Sequence, residues 1–178
     1  IFEGALGYID FYAKGVTDIT IANNTGLDPD SDYNLMTVSD GTPPAGTFTI
    51  ANNLWVSPKY VASGGPKNYS PIVEIRYPDL SAFKFSNNAW PKNTDGDAQL
   101  SVNGSKTAAQ WDAYPQTEGD IFQSMTFSEL GNTYTPVKGS AADGKGKAIK
   151  GVFTDYYGKM RPKTGAWTAG AVEINPVQ

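Results

Sequence analysis

Chemistry in this chain has to come from carboxylates, lysines, arginines and tyrosines, because its 178 residues include neither histidine nor cysteine. That removes every His-dependent triad, ordinary His-bearing zinc and copper sites, and thiol or disulfide chemistry. No P-loop, dinucleotide fingerprint or nucleophile elbow occurs. The best local pattern is Val73-Glu74-Ile75-Arg76. With Val73 and Ile75 facing a core, Glu74 and Arg76 point outward together from one strand, as catalytic candidates or as an exposed ion pair. Two acidic loops offer oxygens to calcium: Asp28-Pro29-Asp30-Ser31-Asp32 and Asp95-Gly96-Asp97. In the first, Asp28, Asp30 and Asp32 alternate as calcium ligands often do. Yet Ser39 stands where an EF-hand needs Glu and the central Gly is missing, so a solvated turn is the competing reading. Tyr12, Trp55, Tyr60, Tyr69, Tyr77 and Trp90 could stack on sugar rings; Trp55 and Trp90, each two residues past an Asn pair, could equally stack on one another.

The elements that must position these residues are repeats. Ile19-Thr20-Ile21-Ala22-Asn23-Asn24, Phe48-Thr49-Ile50-Ala51-Asn52-Asn53 and Phe83-Lys84-Phe85-Ser86-Asn87-Asn88 share one pattern, a half-buried strand that stops at paired asparagines. The Asn pairs recur after 29 and then 35 residues. A second short strand precedes each: Ile9–Ala13, Leu35–Val38 and Ile72–Arg76. Length varies in the Gly/Pro/Asp/Ser/Asn-rich loops 26–32, 57–68 and 92–97. Such recurrence predicts an all-β solenoid with two strands per coil, an antiparallel sandwich being the alternative. Asn tolerates the left-handed backbone such turns need, and one Asn of each pair can also point inward to bond the turns above and below, forming a ladder. Stacking would bring Tyr12, Lys14 and Thr37 into the sheet of Glu74 and Arg76 as a shallow polar strip, with Lys14 joining that pair as a catalytic candidate.

These repeats resemble the right-handed parallel β-helix of bacterial and phage polysaccharide-active proteins. The end of the chain is similar too: Pro136–Gly146 is similar to the run P-x-x-G-S-P-A-x-D-x-G, with Asp143 one residue ahead of the run's Asp, Asp155 to Pro162 follows D-x-x-G-x-x-R-P, and Gly165 to Glu173 follows G-x-x-x-x-G-A-x-E. Ala141 replaces the usual Pro and Val172 the usual aromatic. The resemblance spans nearly the whole chain. It implies a secreted protein acting on acidic polysaccharide as a lyase or epimerase, in which a basic side chain removes the proton beside a uronate carboxyl, often with calcium. Glycosidases of the same fold use paired carboxylates. The calcium cluster and the Lys and Arg segments of the lyases find no match; if the chain derives from a lyase, their counterparts are expected upstream of Ile1. A non-catalytic β-helix for glycan binding, adhesion or extracellular assembly is the alternative, and a jelly-roll carbohydrate-binding module a third.

Composition sets further bounds. The formal net charge is −4, and basic residues are dispersed except between Lys138 and Lys150, so nucleic acid is not an expected partner. No stretch suits a bilayer span. The expected organisation is one domain, with coils over 1–105, then a last irregular coil and a tail over 106–178 folding back on the open edge of the last coil. A short surface helix is expected at Thr107–Ala113, before Pro115. The chain opens at Ile1 with neither Met nor a signal segment, and a strand follows within ten residues. It is therefore expected to be the C-terminal part of a larger β-helix, its first coil covered by an N-terminal β-helix segment or another copy.

Overall fold

The computed structural model describes residues 2–3, 9–11, 17–27, 36–38, 46–56, 73–76, 80–90, 100–123 and 135–177. They are mostly short strands in parallel sheets with little helix, an all-β arrangement. The strands are β1 (Phe2–Glu3), β2 (Ile9–Phe11), β3 (Ile19–Ala22), β4 (Thr25–Leu27), β5 (Met36–Val38), β6 (Phe48–Ala51) and β7 (Leu54–Val56). They continue with β8 (Val73–Ile75), β9 (Phe83–Ser86), β10 (Ala89–Trp90), β11 (Leu100–Val102), β12 (Ser105–Lys106), β13 (Thr117–Glu118) and β14 (Ile121–Phe122). A first sheet has the order β1-β4-β7-β10-β14, a second β12-β11-β8-β5-β2, and a third β13-β9-β6-β3. Every pairing between these strands is parallel except β11 with β12, a hairpin turned by Asn103 and Gly104, both at positive φ. The chain thus visits the three sheets in rotation.

Each round carries three strands, not the two expected. The additional strand follows each Asn pair, and at two or three residues it is too short for alternation to reveal it. A fourth round also exists. Residues 117–122, expected in the irregular last coil and tail, form β13 and β14 in register with β9 and β10.

The repeated strings stack in register: Ile19, Phe48 and Phe83 are aligned, as are Ile21, Ile50 and Phe85. Their inward residues form the core with Trp55, Ile75, Trp90, Val102 and Trp111, while Lys84 between Phe83 and Phe85 is exposed. The short helix α1 (Ala108–Asp112) forms where expected. Thr107 and Gln110 close a capping box at its start, and Trp111 turns into the core against Phe85, with ring centroids 4.6 Å apart.

Strands β7 and β10 of the first sheet are buried on both faces. Trp55 points into the core, while its neighbours Leu54 and Val56 on β7 join Ala89 in a second cluster with Ala141, Ala142 and Ala169 of the tail. The tail therefore lies along the outer face of this sheet, where it was expected to cover the last coil's open edge. Its attachments run from the amide of Ala171, which donates to Thr25 Oγ1 at 2.9 Å, to an ion pair of Lys147 with Glu118. The apolar residues at 54, 56 and 89 need cover on this face, which decides where the tail goes.

Candidate functional site

Two polar assemblies dominate the described residues. The first grows from the Asn pairs. Asn23, Asn52 and Asn87 occupy the left-handed region at φ 55°, 54° and 56°, and Gly119 takes the same place in the fourth round at 67°. The second member of each pair points inward. Asn24 donates its backbone and side-chain N–H to Asn53 Oδ1, and Asn53 does the same to Asn88 Oδ1, all at 3.0 Å. The side-chain amides of Asn53 and Asn88 also donate to the carbonyls of Ile21 and Ile50.

Asp120 ends the ladder. Its Oδ1 accepts the backbone and side-chain N–H of Asn88, at 2.8 and 3.0 Å, and its Oδ2 accepts the indole N–H groups of Trp90 and Trp111, at 2.8 and 3.0 Å. Four donors converge, so an acceptor-only carboxylate fits where another Asn would present a donor to donors. Burial pushes the Asp120 carboxyl up to about 6, opposed by the hydrogen bonds from Trp90, Asn88 and Trp111. The fourth unit carries Gly119-Asp120 in place of the Asn pair, 32 residues after Asn87-Asn88.

The second assembly is built from the motif residues of the tail. Arg161 and Glu173 form an ion pair at 3.1 Å with both side chains 1% exposed. The guanidinium also donates to the carbonyls of Thr168 and Gly170 and lies 5.1 Å from the centroid of the Trp167 ring. Glu173 accepts from the amide and hydroxyl of Thr168, and buried Asp155 accepts the amides of Tyr157, Lys159 and Glu173. Burial pulls the Arg161 guanidinium below its ordinary value, and the charges of Glu173 and Asp155 pull it back. These residues hold the tail together; their acids and base are engaged with one another.

Two hollows open beside this network. A cleft of about 220 Å³ lies between the first Asn turn (Ala22, Asn23, Asn24) and Thr154, Asp155, Tyr156 and Arg161. The side-chain nitrogen of Asn23 and Nε of Arg161 are buried without hydrogen-bond partners among the described residues. Tyr156 lines this cleft, and its exposed ring meets that of Tyr157 edge to face at 5.2 Å. A larger hollow of about 340 Å³ is walled by Ile149, Val152, Phe153, Met160, Pro162 and Trp167, with Lys150 and Lys163.

The residues singled out from sequence fare differently. Arg76 Nη2 meets Glu74 Oε2 at 3.0 Å, with the Arg76 side chain 50% and that of Glu74 22% exposed, so the pair points outward as an ion pair. In register, Glu74 lies opposite Thr37 and Ser101, and Thr37 opposite Asp10. Thr37 thus joins the sheet of Glu74 as expected; Tyr12 and Lys14 lie outside the described residues. Trp55 and Trp90 are corrected as sugar-binding candidates: both are buried, with rings stacked 6.0 Å apart at 7°, so neither offers a face to a ligand. Gly26, in register with Trp55, leaves the room its ring needs; a Cβ there would come within 2.4 Å. Tyr60, Tyr69, Tyr77 and the acidic loops with Asp28, Asp30, Asp32, Asp95 and Asp97 lie outside the described residues. Among the described residues, no three or more Asp or Glu side chains are grouped to hold a metal ion, and no helix is long and apolar enough to cross a membrane. Tyr156, Tyr157 and Phe153 were missed as surface rings, because their exposure depends on how the tail docks.

No protein-family model matches the chain, no curated protein matches it, and no solved structure matches it.

Proposed function

We propose that this chain is a right-handed parallel β-helix of about three to four coils with a C-terminal tail, part of a secreted carbohydrate-active protein, and that its tail holds acidic polysaccharide without turning it over. Rotation of the strands through three parallel sheets in register supports the β-helix, and the usual hand of β-crossover-β connections supports its handedness. The observation that carries the ligand is the charge of the tail. Residues 135–177 hold six lysines and Arg161 against Asp143, Asp155 and Glu173, while the rest of the chain holds seven basic and fifteen acidic residues. Asp155 and Glu173 are buried with Arg161, which leaves a surface dominated by exposed lysines. Beside them the exposed Tyr156 ring, in edge-to-face contact with Tyr157, borders a polar cleft with room for part of a sugar unit. Rings supply stacking, lysines such as Lys159 attract uronate carboxylates, and the cleft walls offer hydrogen bonds.

Calorimetric titration with alginate, pectate and chondroitin oligomers, alongside an uncharged oligosaccharide, tests this reading while ultraviolet absorbance follows unsaturated products. The expected result is saturable, salt-sensitive binding of an acidic oligomer, weakened about tenfold or more by Tyr156→Ala, with no product. Release of unsaturated ends would make the chain a lyase and move attention to the strip of Glu74 and Arg76. Equal affinity for the uncharged oligosaccharide, or none for any acidic one, would overturn the proposal.

A further inference from the structure

The larger hollow has a different chemistry from the cleft beside Tyr156. Its walls are the apolar parts of Ile149, Val152, Phe153, Met160 and Pro162 and the ring of Trp167. The one polar handle of that ring is occupied, since the indole N–H donates to the Pro162 carbonyl at 2.7 Å. Phe153 is 67% and Met160 41% exposed, so the hollow opens to solvent through apolar side chains that the fold leaves uncovered. A volume of about 340 Å³ is enough for a small ligand. Lys150 and Lys163, both exposed, contribute to its lining. Their methylene stems can extend the apolar wall while the ammonium groups stay in water at the mouth.

An apolar interior with two cations at its opening is complementary to a molecule with an apolar body and one anionic end. A sugar ring, polar on every edge, would leave hydroxyls facing carbon here. We propose that this hollow binds an amphiphilic anion of the alkyl carboxylate type, its chain against Phe153, Met160 and Trp167 and its carboxylate between Lys150 and Lys163. The proposal does not rest on the glycan-binding reading, although Val152 and Arg161 line both hollows and Lys150 and Lys163 belong to the lysine surface which that reading invokes.

The test uses the full chain and decanoate, with decanol and decyltrimethylammonium as uncharged and cationic counterparts. Calorimetry should give saturable binding of one decanoate, and carbon NMR of a carboxyl-labelled sample should show the bound carboxylate titrating below the free acid. Lys150→Gln with Lys163→Gln should weaken decanoate about tenfold and leave decanol unchanged. Phe153→Glu, at an exposed position where folding is not at risk, should weaken decanoate more than decanol. Tyr156→Ala, which alters the glycan cleft and not this hollow, should leave decanoate binding unchanged, which separates failure here from failure of the glycan reading. Equal affinity for the cationic and anionic chains, or decanoate binding unmoved by the lysine substitutions, would overturn the assignment, as would no saturable binding.

Discussion

At the scale of single residues, the clearest lesson lies where the ladder ends. Asn suits positions 53 and 88 because each accepts from one round and donates to another, while Asn24 at the start of the ladder donates to Asn53. At 120 the surroundings supply only donors, among them two indole N–H groups. Asp120→Asn, which restores the repeat, should therefore destabilise the protein by about 1–3 kcal/mol, measured by urea unfolding at neutral pH. Asp120 also sets a pH dependence. Its folded-state value of about 6 lies above the ordinary 3.8, so the native state binds this proton more tightly than the unfolded chain does. The associated stability is fully present below the unfolded value and is lost as pH rises through about 6, a fall on the order of 3 kcal/mol. Unfolding midpoints taken across that range should decline with pH in the parent protein, and Asp120→Asn should remove this component of the slope. A slope unchanged by the substitution would show that Asp120 is not the titrating group.

At the scale of elements, the left-handed Asn turns are what let one short strand end and the next begin. Asn87 keeps a positive φ of 56°, and its side-chain oxygen is buried without a partner among the described residues. Asn87→Gly should thus be nearly neutral, whereas Asn87→Ala should cost about 1 kcal/mol for the left-handed backbone. Comparing the two by thermal melting separates a backbone requirement from a side-chain one. The opposite ranking applies to the inward partner. Asn53 makes hydrogen bonds to Asn24, Asn88 and the Ile21 carbonyl, so Asn53→Ala should cost about 3 kcal/mol or more by leaving buried groups unpaired. The ladder was legible in advance because the Asn-Asn string repeats with its apolar flanks. Its last rung was not, because Gly119-Asp120 preserves the roles of the pair while changing both residues.

At the scale of the whole molecule, the tail is bound to the sheets through contacts far apart in sequence. Gly170 has φ 98°, and a Cβ there would lie 2.6 Å from Thr25 Oγ1 and 3.0 Å from Leu54 Cβ. Gly170→Ala should loosen the tail by about 2 kcal/mol or more, seen as faster amide exchange around Ala169 and Ala171 with less change in the strands at Ile50 and Phe85. Arg161→Met should be costlier, about 3–5 kcal/mol, because Glu173 would remain buried without its cation. The same docking leaves Phe153, Tyr156 and Tyr157 on the surface, and both proposed binding sites depend on it.

The sequence by itself determined the repeat, the strand residues that face the core, the left-handed and inward roles of the Asn pairs and the position of the helix. Each of these is a local pattern whose physics acts within a few residues of the chain: alternation, turn conformation and capping. Tertiary structure alone decided that Trp55 and Trp90 are core, that Asp120 closes the ladder, and that the tail covers the outer face of the first sheet. Those outcomes depend on which distant groups meet. Burial of an indole, convergence of four donors on one carboxylate and the need to cover Leu54 and Val56 arise only once separate rounds of the chain are packed together.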